Sequence, residues 1–127
     1  MNKPYFISKD NLIRIMNLKD INIWNYTYKE HMKWLESENV KNTFYYIVIE
    51  LYKELNNYMI KFIKNDDNNY YIQYKLIQVF PKNIEEINKI FTKPKTKLSL
   101  EKYFNELGYK FLVSNHFGDG DCISIHF

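Results

Sequence analysis

The chain has 127 residues, of which 46% are hydrophobic, 18% aromatic and 26% charged, with three Gly, three Pro and one Cys. This excludes a disordered tail, a collagen-like or low-complexity chain and a disulfide scaffold. It leaves a folded domain able to bury roughly two thirds of its unfolded surface without metal or cross-links. The net charge of +3 permits an acidic partner, but Arg14 is the only arginine, so the bidentate fork used on phosphate and guanine is nearly missing and nucleic acid is an unlikely partner.

No alanine occurs, while Asn, Lys, Ile, Tyr and Phe, the residues of A/T-rich codons, are abundant. Helices must therefore be held by amphipathic packing more than by intrinsic propensity. The longest apolar run, Phe44 to Ile49, is far shorter than the roughly 20 residues of a membrane span. The apolar stretch near Met1 is cut by Lys9 and Asp10, so no secretory segment is visible and a soluble, cytoplasmic protein is expected.

In chain order, Asp10 to Leu18 reads as a short helix with Asp10 as N-cap and Leu12, Ile15 and Met16 on one face. A second helix is expected from about Asn25 to Ser37, its stripe formed by Trp24, Tyr28, Met32 and Leu35. Thr43 caps a third, in which Phe44, Ile47, Val48, Leu51 and Leu55 follow helical spacing, with a strand as the competing reading up to Ile49. The period then shifts toward 2. Tyr58–Lys64 and Tyr70–Phe80 flank the turn-forming Asn65–Asn69 and read as a β-hairpin that ends at Pro81. Asn83 and Glu86 open a helix carrying Ile84, Ile87 and Phe91, and Thr92–Lys97 is a basic connector. Ser99 caps a further helix with Leu100, Tyr103, Phe104 and Leu107 on one side, closed by Gly108. Tyr109–Ser114 and Cys122–Phe127 form a second hairpin around Gly118-Asp119-Gly120.

The pattern implies one α+β domain over 1–127: an antiparallel sheet built from two β-hairpins with helices packed on one face. The alternating, lysine-free strand Ile123–Phe127 is expected to be central, and its removal to unfold the domain.

Candidate sites are few. His31, His116, His126 and Cys122 lack the paired spacing of a zinc site. Asp119 and Asp121, like Asp66 and Asp67, suit turns better than a cation loop, which needs more oxygen ligands. His116, His126 and Lys110 could serve a metal-free ribonuclease only if they converged on one phosphate, and a hairpin would hold the two histidines apart. Tyr70, Tyr71 and Tyr74, near Lys61, Lys64 and Lys75, could stack bases. Tyr45, Tyr46 and Tyr52 with the strand tyrosines could instead form a protein interface, or simply fill a core short of alanine. No phosphate loop, nucleophile elbow or paired-carboxylate motif is present, so no enzyme, metal or cofactor is expected.

A short single domain, an A/T-rich composition and tyrosines on the third helix and first hairpin together resemble the small immunity proteins encoded beside bacterial toxins in contact-dependent inhibition and related polymorphic toxin systems. The resemblance implies a cytoplasmic protein that binds a cognate toxin domain and occludes its active site. It assigns no residue a role. The expected partner-binding set, read from the residues, is Tyr45, Tyr52, Asp66, Asp67, Tyr70, Tyr74, Asp119 and Asp121. Inhibitors of basic nuclease toxins are often acidic, whereas this chain is +3, so these acidic tips or an apolar tyrosine surface must make the contact, or the toxin is not strongly basic. The alternatives are a small RNA-binding protein or ribonuclease toxin, and a self-associating accessory protein.

Overall fold

Burying amphipathic faces decides the first half of the chain. A computed structural model describes residues 6–38, 43–65, 70–75, 94–116 and 120–127, and its contacts gather into two compact units, Met1–Tyr70 and Tyr71–Phe127. In the first unit, α1 spans Lys9–Leu18. Its N-cap is Ser8, whose hydroxyl accepts from the Asn11 amide at 3.3 Å. Asp10 lies in the first turn, where it favours the positive helix end rather than capping it. Leu12, Ile15 and Met16 are buried as expected. The helix stops at Lys19, a left-handed residue whose amide bonds back to Ile15.

The helix α2 spans Ile21–Glu38 and starts earlier than expected because Asp20 caps it, its carboxylate accepting from the amides of Asn22 and Ile23. Trp24, Met32 and Leu35 are buried and Tyr28 half-buried, so the expected stripe faces inward. The helix α3, Thr43–Asn65, packs on α2 and α1. The competing strand reading up to Ile49 is not realised.

The first expected hairpin is corrected: Tyr58–Lys64 is the last part of α3. Tyr58, Met59 and Phe62 extend the spacing of Leu55 by three, four and seven residues. Tyr58 and Met59 are buried, and the Tyr58 and Phe62 rings stack at 6.0 Å. Once the preceding helix has set its register, continuing the ladder adds one bond per residue, and local β propensity gives way.

In the second unit, β1 is Tyr71–Lys75, α4 Pro94–Glu106, β2 Lys110–His116 and β3 Gly120–His126. Among the described residues the sheet has three antiparallel strands in the order β1-β3-β2. The chain is thus α+β, mostly helical with a small sheet, and the sheet contains one hairpin, β2–β3, joined by β1 instead of a second hairpin. The terminal strand is central, as its alternation implied. Pro94 at the first helical position, where its missing N–H is no loss, moves the start of α4 into the expected basic connector and leaves Ser99 inside the helix. The remainder of the expected strand to Phe80, Pro81 and the helix around Asn83–Phe91 lie outside the described residues.

Gly108, at φ 96°, ends α4 as expected. Its amide bonds to the Asn105 carbonyl and that of Tyr109 to Phe104, the reciprocal pair that satisfies the last carbonyls of a helix closed by a left-handed residue. Tyr109 and Phe104 are both buried, and the Phe104 ring stacks parallel to Phe111 of β2 at 5.7 Å. Gly108→Ala puts a Cβ against the following carbonyl and is expected to cost about 1–2 kcal/mol, read as a lower urea midpoint with an unchanged slope.

Candidate functional site

Tyr52 forms the hub of the helical unit. Its side chain is fully buried, with ring centroids of Phe6, Tyr28, His31 and Trp24 at 4.4, 5.2, 5.7 and 6.1 Å. Its hydroxyl shares a hydrogen bond of 2.5 Å with Nδ1 of His31, and the Trp24 indole N–H donates to Oδ1 of Asn56 at 2.8 Å. The Tyr52 hydroxyl and the Trp24 indole N–H therefore both meet partners, which removes the penalty of burying them bare.

His31 also reaches the surface. With Glu30, Lys33, Trp34 and Ser37 it lines a depression of about 570 Å³ along α2. The half-buried Trp34 ring meets Tyr45 edge to face at 6.0 Å, and its carbonyl accepts from the Ser37 hydroxyl. Ile23 and Tyr26, seven and four residues before Glu30, continue this face, Tyr26 with 70% of its surface exposed. At 1.5 Å per residue the stripe from Ile23 to Trp34 is about 16 Å long. An aromatic floor with Glu30 and Lys33 at its rim offers apolar area plus charges of both signs.

The electrostatics of this unit are set by burial. Burial raises the hydroxyl of Tyr28, with Glu36 and Glu50 adding to the rise. It also raises the Tyr46 hydroxyl and the Glu54 carboxyl, each again assisted by Glu50. Burial holds the His31 imidazole below its ordinary 6.5, against the pull of Glu30.

The expected binding residues scatter. Tyr52 is corrected from a contact residue to a core residue, because its position on α3 faces α2 and its ring is wholly enclosed. Tyr45 is half-buried beside Trp34, and Tyr70 is 61% exposed. Tyr74 sits on β1 opposite Ile123 and Asp121 on β3 opposite Asn115. Asp66, Asp67 and Asp119 lie outside the described residues. In the hairpin, Lys110 pairs with His126 and His116 with Gly120, so the two histidines stand at opposite ends, about 20 Å apart along the strands. They do not converge on one phosphate. Among the described residues no group of three or more His, Cys, Asp or Glu could hold a metal, and no helix is long and apolar enough to cross a membrane.

The sequence reading missed Trp34. Its signal was present: it falls on α2 outside the stripe of Trp24, Met32 and Leu35, on the flank where it meets Tyr45 of α3. Comparison with protein-family models, curated proteins and solved structures finds no match to this chain.

Because folding lowers the affinity of His31 for a proton, the unfolded chain takes up that proton first. The contribution of His31 to stability is intact above 6.5 and is lost as pH falls through that value toward the lower folded one. The urea midpoint is expected to drop between about pH 7.5 and about pH 5.5, and to drop less in His31→Gln.

Proposed function

We propose that the protein is a non-catalytic binding protein that neutralises a protein partner, an immunity protein of the kind its sequence resembles, acting in the cytoplasm on a cognate toxin domain. The observation that carries this reading is the depression on α2, where Trp34 lies between Glu30, His31, Lys33 and Ser37, extended by Tyr45, Tyr26 and Ile23. Tryptophan and tyrosine anchors ringed by charged side chains are the composition of interface hot spots, since each supplies large contact area for few rotors. The scattered histidines support the same reading, because general acid–base work needs groups within reach of one reacting atom. Inhibition would follow from covering the toxin's active surface, so the interface needs shape and anchors but no reactive group.

Co-expression with the product of the neighbouring gene tests it. A stable complex and protection of the host from that product are expected. Trp34→Ala should weaken the complex by about 30-fold or more, the roughly 2 kcal/mol of a central anchor, while circular dichroism melting stays near that of the parent chain. Absence of both complex and protection would remove the proposal.

A further inference from the structure

Strand register builds a second surface, on the unit Tyr71–Phe127. Pairing sets Tyr71, His126 and Lys110 side by side in one row across β1, β3 and β2, with Gln73, Ser124 and Leu112 in the next row. The Tyr71 and His126 rings stack at 5.3 Å and 22°, and Nε2 of His126 is 3.2 Å from the Ser124 hydroxyl. Tyr71 keeps 45% and Leu112 41% of their surfaces exposed, and Lys110 and Gln73 are exposed as well. The opposite face is core: Ile72, Phe111, Ile123 and Ile125 are buried, with Phe104 stacked on Phe111. The central strand closes the rest of this face, Ser124 and Cys122 being buried, so its accessible part is the row of Tyr71, His126 and Lys110 with the flanking Gln73 and Leu112, and none of these five is Asp or Glu.

We infer that this sheet face binds single-stranded nucleic acid, with a base stacked on Tyr71 and a phosphate held by Lys110. An exposed ring on a β-sheet gives any base a π-face to lie on, and an ammonium in the same row, which holds no carboxylate, attracts the backbone. With lysine as a point charge and no guanidinium fork on the face, recognition is tolerant of sequence and steep in salt. Charge complementarity selects this occupant over a basic one, and the exposed aromatic selects bases over a bare anion.

The inference is independent of the protein partner proposed for α2, and its test uses the full chain alone. A fluorescein-labelled oligouridylate of about 12 nucleotides is titrated and followed by anisotropy at about 50 mM and about 200 mM salt. Saturable binding that weakens with salt is expected. Tyr71→Leu should lose roughly tenfold in affinity and Tyr71→Phe should retain it, while Lys110→Gln should weaken binding and flatten the salt dependence. Melting curves of the variants check that each remains folded, as exposed positions allow. No binding at low salt would overturn the inference. So would binding that heparin matches and Tyr71→Leu leaves unchanged, since the face would then be reading charge alone, as it would on an acidic protein.

Discussion

The enclosed ring of Tyr52 is the interaction on which the helical unit depends. A chain without alanine fills its interior with large side chains, and at the junction of α2 and α3 that filler is a tyrosine whose hydroxyl cannot be left bare. Leaving it unpaired would cost on the order of 1–3 kcal/mol, and Nδ1 of His31 removes that cost. The solution has a consequence for the surface. It fixes an imidazole half inside and half outside the protein, one helical turn from Trp34, so core packing and the shape of the depression on α2 are set by the same hydrogen bond. Disturbing the core at Tyr52 would therefore reach the surface without touching a surface residue.

Much of the helical half was legible because a helix writes its buried face into its spacing. Leu12, Ile15 and Met16 on α1, Trp24, Met32 and Leu35 on α2, and the Ile47 to Leu55 stripe on α3 are all buried where the period placed them. The boundaries were harder, since they rest on single caps: Ser8 competes with Asp10, Asp20 was not seen, and Pro94 starts a helix that Ser99 seemed to start. Tyr58 to Lys64 failed for a different reason. A run of aromatic and β-branched residues is compatible with both periods, and only continuity with Leu55 decides for the helix. Gly108 and the central position of β3 were legible because each has a local cause, a left-handed turn and an alternation that needs cover.

The site was less legible than the fold. Tyrosine is ambiguous from sequence, since its ring suits the core and its hydroxyl suits water, and this chain uses both options. Tyr52, Tyr58 and Tyr109 are buried, and burial raises the Tyr109 hydroxyl far above its ordinary value, whereas Tyr26, Tyr70 and Tyr71 stand in solvent. Helix phase separates Tyr26 from Tyr28, and strand pairing places Tyr71 beside His126. Neither distinction is available from the count of tyrosines alone. The register contact between Lys110, His126 and Tyr71 joins positions from three strands, and nothing within any one of those strands announces it.

The exposed aromatics also differ in their electrical company, and that difference matters more than their number. On α2, Trp34 shares its depression with Glu30 and Lys33, so an approaching surface of either sign finds a partner and a rival charge. Such a surface gains affinity from desolvated aromatic area and takes its specificity from shape and from where the partner's own charges fall. On the sheet, Tyr71 sits in a row with His126 and Lys110 that holds no carboxylate, so an anionic ligand there would be drawn by charge more than by shape. A modest net charge of +3 conceals this partition. Because exposed charges are screened within about 8–10 Å at physiological ionic strength, a ligand at either proposed surface would respond to the few charges beside it and not to the total, and the composition of the chain could not have located either one.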